Sequence, residues 1–276
     1  MRKGHFVPMQ SCRMNYLPAA ARTDFFIAGV QKAGTTALST FLGEHPQVRM
    51  SAKKETHFFD KSRAGDWRNP DYASFHRFFD WNVGDVVRGE ATPIYTYWPQ
   101  CLERIQQYNP EAKIIILLRH PVLRAFSHWK MEASRGSEHL PFEDAIRRKL
   151  ARPHRVYSYM DRGRYAGQVR NALRLFKRVH FVRTDSLWNS PSVTMNDIFT
   201  FLGVGSCPAR RQYIAPDEVS PAQHLSPHIQ KVLIREFEKD ISETHALTGM
   251  DFSDWLRDDY TEPMGQMENP QTIDKV

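Results

Sequence analysis

The sequence predicts an α/β fold, with a central parallel sheet flanked by helices, from three observations. Short apolar runs of strand composition alternate along the chain with segments whose apolar residues recur at helical spacing. One run, 112–118, is apolar almost throughout, which is typical of a parallel strand buried on both faces. Another run, 24–29, ends at a glycine and leads through a loop into a helical pattern.

The individual elements follow from the same patterns. Strands are predicted where an apolar run ends at a glycine or a charged residue, over 24–29, 86–90, 112–118 and 180–182. Helices are predicted where apolar residues fall on one face, over 35–43, 122–129, 166–177, 192–202 and 227–249. Pro46 ends the first helix, and Ser226-Pro227 begins the last one as an N-cap followed by an N1 proline.

The chain is predicted to form one domain over 23–260. Its 276 residues suit one large domain or two small ones, and no repeat or linker divides it. Residues 1–22 are predicted to be an irregular leader, because Pro8, Gln10 and Arg13 interrupt any apolar signal segment. Residues 261–276 contain Pro263 and Pro270 and are predicted to be a disordered tail.

Composition narrows the class of protein and of partner. Hydrophobic residues make up 41% and charged residues 25% of the chain, which excludes a collagen-like or disordered protein. The net charge of +7 favours an anionic partner, which could be nucleic acid, a membrane surface, an acidic glycan or a phosphorylated cofactor. No run approaches the roughly 18 apolar residues of a membrane span.

The cysteines give an expectation about the compartment. Cys12, Cys101 and Cys207 are an odd number, lie far apart and form no CxxC pair. This pattern supports neither a disulfide framework nor a zinc site. It predicts a cytoplasmic protein without a metal.

The segment 29–36 has the pattern of a phosphate-binding loop between a strand and a helix. Backbone N–H groups and the positive end of a helix bind a nucleotide phosphate at such a junction. Gly29, Gly34 and Thr36 match the Walker A pattern G-x-x-x-x-G-K-[ST], but Thr35 stands at its lysine position and Lys32 lies within the loop. A tight turn that only packs is the alternative interpretation.

The strand 112–118 ends at Arg119, where a nucleoside triphosphatase usually carries a carboxylate that holds Mg²⁺. A loop lysine and a strand-end arginine without an acid predict an anion site that needs no metal. Ser127 follows eight residues later and adds a hydroxyl donor. Arg119 and Ser127 are therefore predicted to contact a phosphate, with a surface arginine as the alternative.

Glu55 and His57 are candidates for proton transfer. In an extended segment they would project to the same side, and a carboxylate beside an imidazole can act as a general base. The alternative is a solvated polar run ahead of the apolar pair Phe58-Phe59.

Together these motifs resemble those of the PAPS-dependent sulfotransferases, in particular the bacterial and heparan-sulfate-like carbohydrate branch. Residues 31–38 are similar to the 5′-phosphosulfate loop of that family, and 118–127 are similar to its 3′-phosphate motif. Residues 54–59 resemble the segment that carries the glutamate base in glycan sulfotransferases. Ala91 departs from the heparan type, which often carries lysine there.

The resemblance implies a P-loop-type sheet and transfer of a sulfuryl group from PAPS, with PAP as product. The acceptor would be a hydroxyl or amine of a carbohydrate or other small molecule, such as a natural product. Catalytic roles fall on Lys32, Glu55 and His57, with Glu55 as base and His57 assisting or substituting. Donor-binding roles fall on Gln31, Lys32, Ala33, Gly34, Thr35, Thr36, Ala37, Arg119, Ser127, Arg210 and Arg211.

Acceptor-binding roles are assigned to a lysine and three aromatic residues, Lys54, Tyr95, Trp98 and Trp129. Aromatic rings stack on sugars, although packing in the core is the alternative for each ring. No partnership with nucleic acid or a membrane is expected, and the oligomeric state stays open.

Two other functions are compatible with parts of the pattern. A P-loop kinase of a small molecule would need Mg²⁺ and an acid at a strand end, which the sequence lacks at Arg119. A basic nucleic-acid-binding module would cluster its Lys and Arg on one face and would leave Lys32 and Glu55 without a role.

Overall fold

The computed structural model describes residues 21–61, 66–207 and 224–262 of the chain. In these ranges five strands form one parallel sheet in the order β2-β3-β1-β4-β5. They are β1 (Phe25–Gly29), β2 (Val48–Met50), β3 (Val87–Ala91), β4 (Lys113–Leu118) and β5 (Val179–Arg183). The predicted fold class, a P-loop-type parallel sheet flanked by helices, is confirmed.

The helices in the described ranges are α1 (Thr35–Gly43), α2 (Ala73–His76), α3 (Cys101–Tyr108), α4 (Pro121–Ser134), α5 (Phe142–Ala145), α6 (Tyr165–Leu175), α7 (Ser186–Asn189), α8 (Pro191–Leu202) and α9 (Pro227–Thr248). Short 3₁₀ turns cover Asp161–Gly163 and Ser253–Leu256. Every predicted strand and helix has a counterpart. The strand β2 and the helices α2, α3, α5 and α7 lie outside the predicted elements.

The centre of the sheet is the centre of the core. Every residue of β1 is buried, and so is every residue of β4 after Lys113. β1 pairs with β3 on one side and with β4 on the other. The apolar run in β4 therefore has the burial on both faces that its composition predicts.

Parallel strands bring the three sequence motifs to one edge of the sheet. The loop before α1 follows the end of β1, and Arg119 follows the end of β4. The backbone N–H of Glu55 donates to the carbonyl of Ala91, the last residue of β3, at 3.0 Å. Sites in open α/β sheets lie at this carboxyl edge of the strands.

Phe59 fixes the segment that carries Glu55 to the core. Its ring is fully buried and lies 5.6 Å from Phe26, 5.2 Å from Phe75 and 5.7 Å from Tyr95, measured between ring centroids. All three contacts are edge-to-face, an arrangement that aromatic pairs favour. The polar side chains just before Phe59 are thus held at the edge of the sheet.

The described ranges contain neither a candidate membrane span nor a candidate metal site. None of the helices there has both the length and the apolar character that a membrane span requires. No three His, Cys, Asp or Glu side chains in those ranges are grouped so as to hold a metal ion.

Candidate active site

The phosphate loop owes its shape to two residues in the left-handed region. Lys32 has φ of 69°, and Gly34, the N-cap of α1, has φ of 84°. Glycine adopts this conformation without a steric cost, whereas a side chain at Gly34 would be strained. No side chain of the described residues caps α1. The first N–H groups of a helix lack intrahelical partners, so this end can bind an anion.

Carbonyl and side-chain groups of the loop are held from neighbouring elements. Arg119 Nη1 donates to Lys32 O at 2.8 Å, and Thr184 Oγ1 donates to Ala33 O at 2.9 Å. The buried Arg162 donates through Nη1 to the side-chain oxygen of Gln31. The first two bonds fix the loop against the ends of β4 and β5, and the third fixes it against the 3₁₀ turn at Asp161–Gly163.

The predicted donor-binding residues of the loop differ in what they can offer. The side chains of Ala33, Thr35 and Ala37 are buried, so only their backbone could contact an anion, and the N–H of Ala33 already donates to Val30 O at 3.2 Å. Thr36 is exposed, and Lys32 is half-buried. The loop therefore combines backbone donors with one lysine side chain.

Arg119 is paired with a carboxylate from the C-terminal part of the chain. Its Nε and Nη2 lie 2.8 and 2.5 Å from the two carboxylate oxygens of Glu262. Both side chains are about one-fifth exposed, at 21% and 19%. A phosphate at Arg119 would compete with Glu262. Ser127 is half-buried on α4, and Arg210 and Arg211 lie outside the described residues.

The segment around Glu55 and His57 is not extended, contrary to the expectation from the sequence. Glu55 has φ of 55° and His57 has φ of 53°, both in the left-handed region. The two side chains still meet, with His57 Nε2 at 3.5 Å from Glu55 Oε2. Their proximity comes from this turn of the backbone and not from strand geometry.

Asp60 completes the cluster and was not a candidate from the sequence. Its Oδ2 lies 3.0 Å from His57 Nδ1, and its side chain is fully buried. The two nitrogens of the imidazole are therefore placed between two carboxylates, those of Glu55 and Asp60. The spacing of three residues from His57 to Asp60 was the signal available in the sequence.

Glu55 and His57 carry opposite charges in the cluster. The pKa of Glu55 is lowered to about 2, first by the imidazole of His57 and then by Lys54, whose Nζ lies 2.6 Å from Oε1; burial opposes the shift. The pKa of His57 is raised to about 9, first by Asp60 and then by Glu55. At neutral pH Glu55 is a carboxylate and His57 is an imidazolium.

A buried carboxyl supports the segment from below. Glu90 Oε1 accepts from the backbone N–H of Thr56 at 3.1 Å and from Thr92 Oγ1 at 2.5 Å. Complete burial raises the pKa of Glu90 to about 7. Ala91, beside it at the end of β3, is buried as well.

The predicted acceptor-binding residues divide into two groups. Lys54 and Trp98 are half-exposed, and the guanidinium of Arg155 stacks 4.3 Å from the Trp98 ring. Tyr95 and Trp129 pack in the core instead. Tyr95 is fully buried behind Thr56, and Trp129 donates through Nε1 to Leu140 O. Buried rings offer no face to an acceptor, so these two assignments are corrected.

Comparison with known proteins agrees with this geometry. The family model described as "Sulfotransferase domain" matches residues 22–216. The heparan sulfate glucosamine 3-O-sulfotransferase 6 of Mus musculus is 31% identical over 183 residues, which are 64% of this chain and 51% of that protein. The human 3-O-sulfotransferase 3B1 is 29% identical over 182 residues, 64% of this chain and 45% of that protein. The chain spans about half the length of the curated relatives it matches.

A solved structure is similar over most of the chain. The sulfotransferase from Alicyclobacillus acidocaldarius has a TM-score of 0.73 and 30% identity, over 86% of this chain and 100% of that one. The family model, the relatives and this structure all agree with the resemblance that the loop and strand-end motifs indicate. The chain therefore belongs to the PAPS-dependent sulfotransferase family.

Proposed function

We propose that this protein transfers a sulfuryl group from PAPS to a hydroxyl or amine of a carbohydrate or other small-molecule acceptor. The observation that carries the proposal is the meeting of two sites at one edge of the sheet. The phosphate loop follows β1, and the Glu55–His57–Asp60 cluster is attached to the end of the adjacent strand β3. An anion-binding loop and a proton acceptor are the two parts that transfer to a hydroxyl requires.

The donor side is assigned to the loop and to the end of β4. Lys32 and the N-terminus of α1 suit the 5′ phosphosulfate group, and Arg119 with Ser127 suits the 3′-phosphate. PAPS supplies the activated sulfuryl group. The protein's part is to position it and to stabilise charge on the leaving phosphate oxygens, as in phosphoryl transfer.

The acceptor side is assigned to Glu55 as general base. Glu55 is ionised at neutral pH and can accept a proton, whereas the imidazolium of His57 is already protonated and cannot accept another. His57 orients the carboxylate from Nε2. An acceptor hydroxyl that replaces Lys54 at Glu55 Oε1 would remove a cation from the carboxylate and so raise the basicity of Glu55.

Relatives named for heparan sulfate glucosamine support a carbohydrate acceptor. Lys54 and Trp98 are the half-exposed predicted residues that could contact it. The kinase and nucleic-acid-binding alternatives receive no support from the comparisons. A cytoplasmic location is part of the proposal and rests on the odd number and wide separation of the cysteines in the sequence.

The test is transfer of label from PAPS carrying ³⁵S in its sulfuryl group. Pools of oligosaccharides and of phenolic and aliphatic alcohols serve as acceptors, without Mg²⁺. We expect label in an oligosaccharide pool. Lys32→Ala should reduce the rate by about 10²-fold or more, because it removes a cation from developing charge. The control Lys177→Ala changes an exposed lysine and should leave the rate unchanged.

Phosphoryl transfer from ATP with Mg²⁺, together with no sulfuryl transfer to any pool, would contradict the proposal and favour the kinase. Label that appears only in the alcohol pools would keep the reaction and exclude the carbohydrate acceptor.

A further inference from the structure

Arg155 reaches the catalytic cluster from a distant part of the chain. It lies between α5 and the 3₁₀ turn at Asp161–Gly163, in the exposed stretch 151–155. Its Nη1 donates to Asp60 Oδ2 at 2.7 Å, and its Nη2 donates to Asp60 O at 2.9 Å. The guanidinium thus holds both the side chain and the backbone of Asp60, on the oxygen that also faces His57.

Arg155 is itself held in place. The guanidinium carbon Cζ lies 4.3 Å from the centroid of the Trp98 ring, and the backbone carbonyl of Arg155 accepts from Arg162 Nη2 at 2.6 Å. The same Arg162 donates through Nη1 to Gln31 of the phosphate loop. A continuous set of contacts therefore runs from the phosphate loop through Arg162 and Arg155 to Asp60.

Asp60 needs a second cation for a physical reason. Its side chain is fully buried, and its Oδ1 has no hydrogen-bond partner among the described residues. A buried carboxylate is costly unless it is paired and hydrogen-bonded. Burial would raise the pKa of Asp60, but His57 and Arg155 outweigh it and hold that pKa below its usual range.

We propose that Arg155 is a positioning residue, whose clamp on Asp60 keeps the Asp60 carboxylate ionised beneath His57 and thereby keeps His57 turned towards Glu55. The proposal rests on the proposed function in one respect only, the role of Glu55 as base. The charged groups that face His57 are Glu55 and Asp60, with Lys54 beyond Glu55 and Arg155 beyond Asp60. The buried Glu90 below the segment also interacts electrostatically with His57.

Loss of Arg155 has a defined consequence for His57. With one cation left, buried Asp60 either takes up a proton or moves towards water. In both cases His57 loses the partner that is the first cause of its raised pKa. The pKa of His57 should therefore fall towards its ordinary value of 6.5. A purely long-range effect has the opposite sign, because removal of a nearby cation favours the imidazolium.

The experiment is a titration of His57 followed by NMR of the imidazole nitrogens in protein labelled with ¹⁵N-histidine, from pH 5 to 10. The His57 signals are identified among the 12 histidines by their loss in His57→Gln. We expect a pKa of about 9 in the unmodified protein. In Arg155→Ala we expect a decrease of about 1 to 2 pH units.

Arg155→Lys keeps the charge and one donor, and should restore part of the decrease. It also repeats the test if Arg155→Ala does not fold. Arg152→Ala removes one positive charge from the same exposed segment and should leave the pKa of His57 unchanged. PAP affinity, measured by calorimetry, should change less than about twofold in all three variants, because none alters the loop or Arg119.

A pKa of His57 that stays constant or rises in Arg155→Ala would overturn the proposal. So would an equal decrease in Arg152→Ala. The titration does not depend on which group is the base. If the pKa falls as expected while Glu55→Gln keeps full transfer activity, the clamp stands and the assignment of Glu55 fails.

Discussion

At the scale of single residues, Glu55 and His57 have different charges, and this difference assigns their roles. An isolated carboxylate and an isolated imidazole can each accept a proton. Glu55 and His57 lie in the same turn, so either could be the base on position alone. Asp60 and Glu55 together stabilise the imidazolium, and the imidazolium in turn stabilises the Glu55 carboxylate. The geometry of these contacts therefore leaves Glu55 as the group able to take a proton at neutral pH.

Replacement of Glu55 should affect transfer and not donor binding. Glu55→Gln keeps the shape of the side chain but removes its basicity, so single-turnover transfer should fall by about 10²- to 10⁴-fold. His57→Ala should cost less, because it removes an orienting group. PAP affinity should change little in either variant. Nearly full activity in Glu55→Gln with an inactive His57→Ala would reverse the two roles.

Glu90 should make stability depend on pH. Its pKa of about 7 in the folded protein is above its ordinary value of 4.5. The folded state therefore binds the proton more tightly, and the contribution of Glu90 to stability falls as pH rises from 4.5 to 7. Above pH 7 the buried charge is unfavourable.

Glu90→Gln should accordingly raise the free energy of unfolding at pH 8 by up to about 3 kcal/mol and change it little at pH 5. Urea unfolding at both values measures this, with Glu103→Gln on the exposed part of α3 as the control. An equal effect of Glu90→Gln at the two pH values would contradict the assignment of the shift to this group.

At the scale of elements, the sequence predicted the strands and helices whose pattern lies within a short contiguous stretch. The β1–loop–α1 unit and β4 were predictable because a strand-length apolar run and a helical face can each be recognised within about ten residues. The three-residue β2 and four-residue helices such as α2 are too short for any period to show. The left-handed turn at Glu55 and His57 has no glycine to mark it, which is why an extended segment was expected.

The segment after the last 3₁₀ turn should weaken donor binding through Glu262. Its carboxylate occupies Arg119 and must leave before a 3′-phosphate can bind there. A competing state lowers the apparent affinity, which scales with the fraction of molecules in the binding-competent state. Glu262→Gln should therefore tighten PAP binding by about 3- to 10-fold.

The control is Glu236→Gln, which removes a similar contact to an arginine, Arg164, on the exposed surface. It should leave PAP affinity unchanged. Weaker binding of PAP to Glu262→Gln would mean that Glu262 supports the site and does not compete with the phosphate.

At the scale of the whole molecule, the site is assembled by the topology. Asp60 and Arg155 are 95 positions apart, and Arg162 is 131 positions from Gln31. No spacing in the sequence predicts such pairs, whereas the motifs at the ends of β1 and β4 were predictable because each is contiguous. The parallel sheet places both kinds of residue at its carboxyl edge. The same packing buries Tyr95 and Trp129, which composition alone could not distinguish from surface rings.

The central claim, that this edge of the sheet holds a 3′-phosphorylated adenosine nucleotide without a metal, is tested most directly by calorimetry of PAP in the absence of Mg²⁺. The account predicts that PAP binds and that adenosine 5′-phosphosulfate, which lacks the 3′-phosphate, binds at least about 10-fold more weakly, since charge-assisted bonds to Arg119 are lost. Lys32→Ala should weaken PAP binding, and Lys177→Ala should not. Binding of ATP only with Mg²⁺, with no measurable binding of PAP, would contradict it.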